Sequence, residues 1–324
     1  MTVDKKTLKE LYARTLKVRK FEEKVWDLFG ENLVPGTLHL YLGQEAVAAG
    51  VTTALKKTDW VQSTHRGHGH VVAKGADMNA ALAELLGKSS GSCKGKGGSM
   101  HITQFDVGVL GATGVVASGL PIAVGAALSC QMRGTKDVVA CFFGDGASNN
   151  GTFGESLNMS AIWKLPLIWI VENNLYAMGT PITMTCPSAT IAQRADGYCI
   201  PNVVVDGNNA LDVYEATVEA VKRAREGEGP TLIECQTYRM RGHSRFDQAK
   251  YRPEDEAKYW LSEERDAVRI ICRIAIEQGA LTEKDVEKID AKISKEVNKA
   301  GEFAKKAEYP KPEEALDDVF AEVL

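Results

Sequence analysis

An α/β architecture, a parallel sheet with helices on both faces followed by a helical tail, is what this 324-residue chain predicts. The first observation is an alternation. Apolar runs at Val138–Phe143, Leu165–Val171, Val203–Val205 and Thr231–Cys235 are separated by helical patterns at Phe153–Trp163 and Ala210–Arg225. Runs that are apolar throughout, rather than at every second residue, suit strands covered on both faces, as in parallel sheets. The second observation is the stretch from about Glu254 onward, where every periodic pattern is helical. The third is composition: 44% hydrophobic and 25% charged residues mark an ordinary globular chain with enough apolar material for a large core.

Taken in order, Leu8, Leu11, Val18, Phe21, Val25 and Leu28 recur at helical steps, with Gly30 as a stop, and predict an amphipathic opening helix. Residues 41–57 and 76–87 read as further helices. Between them Ser63-Thr64-His65-Arg66-Gly67-His68-Gly69-His70 is too polar and glycine-rich for core, so a solvated loop is expected. Residues 87–101 carry Gly87, Gly91, Gly95, Gly97 and Gly98 among Ser and Lys and predict a long loop, of the sort that is usually functional or mobile. A Gly/Ala-rich helix, Pro121–Met132, leads into the alternating region. In the tail, Thr282 and Asp285 form a capping-box signature ahead of Val286, Ile289, Ile293 and Val297. The division expected is an α/β domain over 1–260 and a helical extension over 261–324. No internal repeat is visible.

Composition excludes several functions. With 39 Lys+Arg against 43 Asp+Glu the net charge is −4, which argues against a nucleic-acid coat or a membrane-surface binder. Seven dispersed cysteines without a CxxC pair fit reduced thiols rather than a zinc site. No signal peptide and no apolar run near the ~20 residues of a membrane span are seen, so a soluble, cytoplasmic protein is expected. Gly87-Lys88-Ser89 imitates the end of a P-loop, but Leu82 stands where the earlier glycine is needed.

Open parallel sheets bind ligands beyond the carboxyl ends of their strands. Two such ends carry Gly144-Asp145-Gly146 and Asn173-Asn174. The 26 residues between them (147–172) hold one helix and one strand, a single crossover, so Asp145 and Asn174 should meet on adjacent strand ends. A carboxylate and an amide oxygen are hard ligands of the type magnesium takes when a phosphate fills its other positions. The helix starting near Asn150 offers its positive end to an anion.

That pairing resembles the metal–diphosphate motif of thiamine-diphosphate enzymes, which opens with GDG and closes with NN at this spacing. The likeness extends to His39-Leu40-Tyr41-Leu42-Gly43-Gln44-Glu45-Ala46, His65-Arg66, Lys94-Gly95-Lys96-Gly97-Gly98-Ser99-Met100-His101 and Tyr238-Arg239-Met240-Arg241-Gly242-His243-Ser244. These segments resemble landmarks of the alpha subunit of the first component of 2-oxo acid and acetoin dehydrogenase complexes, in order from about residue 8 to about 260. The resemblance implies a thiamine-diphosphate-binding fold of the diphosphate-binding type, with thiamine diphosphate and Mg2+ as cofactors. It implies that Asp145, the Asn174 side chain and the Tyr176 carbonyl hold magnesium. It places Gly146 and Ala147 at the diphosphate, with Arg66 and His243 beside it. Gly114 and Val116 would meet the aminopyrimidine ring, His65 would contact the cofactor, and His39 and His243 would face the reacting carbon. Pyruvate-type members commonly carry tyrosine where this chain has His65.

Six histidines are present. His68 and His70 read as ordinary solvated loop residues, whereas His39 and His243 sit inside matching motifs, where a group titrating near neutrality suits proton transfer. The resemblance implies cleavage of acetoin to acetaldehyde, with the remaining two-carbon fragment passed to a lipoyl-bearing acyltransferase. Pyruvate and another 2-oxo acid stay open as substrates, as does a non-catalytic phosphate-binding subunit. Only 84 residues follow position 240, too few for a second parallel-sheet domain. The carboxylate that activates such a cofactor is therefore expected from another chain, which the resemblance implies is a beta subunit in an α2β2 assembly, docked on an exposed apolar surface.

Overall fold

The computed structural model describes residues 3–318. The last six residues of the expected extension, 319–324, lie outside the described residues.

Helix α1 (Lys5–Gly30) opens the chain, its Asp4 side chain accepting from the Thr7 N–H, and α2 (Glu45–Ala54) follows. Strand β1 (Trp60–Gln62), helices α3 (Gly67–Lys74) and α4 (Met78–Leu85) and strand β2 (Val109–Gly111) come next. Then α5 (Gly119–Met132), β3 (Val139–Gly144), α6 (Gly151–Ile162) and β4 (Leu167–Asn173) alternate. A two-residue hairpin, β5 (Tyr176–Ala177) and β6 (Thr180–Pro181), precedes β7 (Asn202–Asp206), α7 (Ala210–Arg225) and β8 (Thr231–Gln236). Helices α8 (Glu254–Trp260), α9 (Ala267–Glu277) and α10 (Glu283–Lys306) end the regular structure.

Six strands form one parallel sheet in the order β2-β1-β3-β4-β8-β7. Alternate side chains of the central strands serve opposite layers. Val139, Cys141 and Phe143 of β3 join Leu167, Trp169 and Val171 of β4 in a core with α5 and α6. Ala140, Phe142, Ile168 and Ile170 face the core built by α1 to α4 and α7. Both faces are covered, as the continuous apolar runs require. Strand β7 departs from that expectation: it lies at the sheet edge, and Val203 and Val204 are exposed. Strands β1 and β2 went unread because three residues are too few for any period to show.

The tail packs rather than projects. Ile293, Val297 and Ile271 join Leu8, Leu11 and Leu16 of α1 in a third core, and α10 also lies along α4. The predicted capping box is present, Thr282 accepting from the Asp285 N–H while Asp285 accepts from the Thr282 N–H. Arg19 of α1 ties the junction together, bonding Glu45 at 2.6 Å and the α9 cap Asp266 at 2.8 Å.

The segment Ser63–His70 corrects the sequence reading. It is not a solvated loop: residues 67–74 are helical, and His68 and His70 have no exposed surface. His68 bonds Glu22 and Ser99, and His70 bonds Ser63, Tyr41 and Glu172. Partners from distant parts of the chain make these polar residues interior, and no local pattern reveals them. The loop after α4 is organised by a single residue at the end of that helix. The buried carboxylate of Glu84 accepts the backbone N–H groups of Cys93, Gly95, Gly97 and Gly98.

Candidate functional site

Strands β3 and β4 are adjacent and in register, Gly144 opposite Glu172, so the chain beyond each ends in the same crevice. Asp145 begins a tight helical turn there, and Asn150 caps α6 by accepting from the Thr152 N–H. Asn174 follows the last residue of β4. The crossover deduced from the sequence thus brings Asp145 and Asn174 together with Tyr176 around one cavity of about 310 Å³. Its wall also includes His65, Arg66, Val116, Gly146, Ala147, Arg239 and His243. Gly114 sits in the same 113–117 wall segment, against His101, and His39 stands behind the lining, beside His65 and His243.

Local backbone conformation shapes the crevice. Ala117, Leu175 and Met178, all at its edge, have positive φ values of 71°, 72° and 55°. Non-glycine residues rarely adopt that region, and such strain gathers at functional sites. Gly146 packs so closely on Ala177 that a β-carbon would stand 2.7 Å from its methyl group. The backbone is therefore open to a ligand only where no side chain intervenes.

The electrostatics fit a cation and a polyanion. Asp145 is 3% exposed, and its Oδ2 has no hydrogen-bond partner. Burial raises its carboxyl pKa to about 6, although Arg239 pulls the other way. Asn174 donates from Nδ2 to Gln44 Oε1 at 2.9 Å, which turns its amide oxygen toward Tyr176. A bare buried carboxylate oxygen beside an oriented amide oxygen is the donor chemistry that magnesium prefers. Asp145 is also the only carboxylate among the described residues lining the cavity.

Two buried guanidinium groups face this centre. Arg66 donates to the carbonyls of Leu40 and His243, both at 2.7 Å, and so fastens the 241–247 segment to the 38–42 segment. Burial, then the charge of Arg239, lowers its pKa to about 9. Arg239 donates to the Met178 carbonyl and to Tyr251. Sequence reading missed Arg239 as a site residue, and also Gln44. Their only signal was membership of motifs already singled out for His243 and His39.

Three imidazoles close the upper side. His39, His65 and His243 have ring centroids 4.8, 5.0 and 5.4 Å apart, and their nitrogens gather within 4.8 Å. Arg66 and Arg239 lie 3.3 and 3.2 Å from His243 Nδ1. Guanidinium nitrogens only donate, so Nδ1 accepts and Nε2 carries the proton. His39 Nδ1 and His65 Nε2 are buried and unpartnered. Burial first, and Arg66 second, push these groups down, His39 to about 3, His65 to about 2 and His243 to about 4. All three are neutral at pH 7.

Among the described residues no helix is long and apolar enough to cross a membrane. Val115 and Val116 at the rim, Ile122 on α5, Met159 and Ile162 on α6, and Trp163 at its C-terminal cap are exposed apolar side chains.

A family model described as the dehydrogenase E1 component matches residues 13–313. The alpha subunit of acetoin:2,6-dichlorophenolindophenol oxidoreductase from Bacillus subtilis is 46% identical, covering 96% of this chain and 92% of its own. Its counterpart from Cupriavidus necator is 41% identical over 99% and 96%. The alpha subunit of the pyruvate dehydrogenase E1 component from Rhizobium meliloti is 40% identical over 95% and 88%.

Proposed function

Since the chain belongs to the dehydrogenase E1 component family, a family of thiamine-diphosphate-dependent oxidoreductases, we propose that it is the alpha subunit of an acetoin-cleaving enzyme. The observation that carries the site assignment is the meeting of a bare, buried Asp145 with an oriented Asn174 at two adjacent strand ends. Asp145, Asn174 and the Tyr176 carbonyl would hold Mg2+. Gly146 and Ala147 would meet the diphosphate, with Arg66 and His243 beside it and Arg239 adding charge. Gly114 and Val116 would border the aminopyrimidine ring, with His65 facing the cofactor region. When bound, thiamine diphosphate supplies a nucleophilic carbon and a sink for the electron pair of the broken carbon–carbon bond.

The residues of this chain supply orientation and proton control. Arg66, anchored on two carbonyls, fixes the position of His243 and leaves its Nε2–H free to donate to a substrate oxygen. His39, packed edge-on against both His65 and His243, backs these two rings from behind the cavity wall. The buried setting excludes water and strengthens each of these contacts.

A beta subunit, an α2β2 assembly and delivery of the two-carbon fragment to a lipoyl-bearing acyltransferase complete the reading, in a cytoplasmic setting. Support comes from the exposed apolar residues on α5 and α6 and from a cavity with no glutamate among its described lining. The relatives named for acetoin favour that substrate, and pyruvate is the second reading because the pyruvate dehydrogenase subunit matches nearly as well.

The test is dye-linked oxidation by this chain co-expressed with a beta-type partner. Acetoin should reduce the dye only with thiamine diphosphate and Mg2+ present. Turnover of pyruvate alone would replace the acetoin reading. Full turnover by the isolated chain would overturn the need for a partner.

A further inference from the structure

His39 Nδ1 and His65 Nε2 are both buried without a partner, but of these two rings only that of His65 lines the cavity, together with His243. His243 Nδ1 is saturated by two guanidinium N–H contacts, so this ring can only donate into the cavity. His65 Nε2 is buried with no partner, and its ring lies 4.8 Å from His39 and 5.4 Å from His243. A buried polar atom without a partner is destabilising, and that cost is removed when a ligand meets it. The wall therefore pairs one committed donor with one uncommitted nitrogen a ring's width away.

That pairing separates the two candidate substrates by their chemistry. A 2-oxo acid loses carbon dioxide without giving up any O–H proton. An α-hydroxyketone split between its two oxygen-bearing carbons must lose its hydroxyl proton as that carbon becomes a carbonyl. We propose that His65 is the catalytic base for this step, Nε2 taking the carbinol proton of a neutral α-hydroxyketone while His243 Nε2–H holds the ketone oxygen. This deepens the acetoin reading and rests on it. The balance is simple. The O–H proton goes to Nε2, the C–O bond becomes C=O, and the carbon–carbon bond breaks. Its electron pair stays with the second two-carbon fragment, acetaldehyde departs, and the imidazolium returns its proton to solvent.

The surroundings keep this base unprotonated before the reaction. Burial and the facing charges of Arg66 and Arg239 disfavour the imidazolium. A bound diphosphate beside those guanidinium groups offsets their charge and returns basicity to the ring.

The experiment uses the assembled enzyme with its beta-type partner. His65→Phe keeps the ring shape, and His65→Gln keeps hydrogen bonding without useful basicity. Both should lower kcat for acetoin about 100-fold or more, the scale of general-base catalysis, with KM changed less than about threefold. In the cofactor-free assembly, ligand-observed NMR should show meso-2,3-butanediol binding more tightly than its dimethyl ether. His65→Phe should remove that preference. The wild-type comparison needs no variant and so stands even if a substitution prevents folding. If the wild type ignores acetoin, the substrate reading fails. If the wild type turns acetoin over and His65→Phe keeps kcat within threefold, only the role of His65 fails. Equal binding of diol and ether also overturns it.

Discussion

His65 and His70 lie five residues apart in one run, yet they belong to different kinds of interior. His70 has both ring nitrogens engaged, Nδ1 with Ser63 at 2.7 Å and Nε2 with Glu172 at 3.0 Å, and its ring stacks on Phe142. His65 is only partly buried, at the cavity wall, yet its Nε2 is enclosed and bare. The same division holds for acids. Glu84 and Glu172 have several partners, whereas Asp145 Oδ2 has none. Burial alone does not mark a functional group here. Among the groups that line the cavity, burial with an unmet hydrogen bond marks Asp145 and His65. Away from it, Glu22 Oε2 and Glu45 Oε2 are bare within ion pairs of the core.

The contrast breaks most visibly at His70. Replacing it with Phe removes the imidazole partner of the buried Glu172 carboxylate, leaving Tyr41 to hold it, and should cost about 3 kcal/mol, read as a lower urea midpoint. The opposite sign is expected at Asp145. Its raised pKa means that charge is disfavoured in the folded chain, so the penalty grows as pH rises from about 4 to 6 and is full above that. Asp145→Asn should therefore stabilise the cofactor-free protein by roughly 2–3 kcal/mol at pH 7, at about 1.4 kcal/mol per unit, and by nothing near pH 4. Calorimetric titration of the same variant should show loss of magnesium-dependent cofactor binding. Equal stability at both pH values would remove the unmet-partner explanation.

His65→Phe should change stability by less than about 1 kcal/mol, since it leaves no charge unpaired, and urea unfolding beside His70→Phe gives the comparison directly. The finest test is titration. The folded pKa values of His39, His65 and His243 lie below the unfolded value, so the unfolded chain binds more protons between about pH 4 and 6.5. Stability should fall as pH drops through that window. Imidazole resonances assigned to these three should stay flat from pH 8 to pH 5.5, and a midpoint near 6.5 for any of them would remove it from the neutral group.

The sheet and the Asp145–Asn174 pairing were legible in the sequence because both rest on local order: continuous apolar strands, one crossover, and turn residues at strand ends. The capping box at Thr282 was legible for the same reason. What escaped was set by contacts across long stretches of chain. Glycine and histidine in residues 67–70 read as solvent-facing until Glu22, Tyr41 and Glu172 are known to surround them. Arg239 and Gln44 escaped because their work is done on neighbours, one on His243 and the other on Asn174. Strands β1 and β2 escaped through brevity.

The grip of Glu84 on the following loop bears on how freely that loop can change its letters. The contact is made to main-chain N–H groups, so the side chains of Ser92, Lys94 and Lys96 contribute nothing to it and can drift in identity. Gly91 cannot, because a β-carbon there would collide with Glu84 itself. Descendants of this sequence should thus preserve a spacing, an acid at the end of one helix and glycine seven positions later, while the letters at 92, 94 and 96 beyond that glycine turn over.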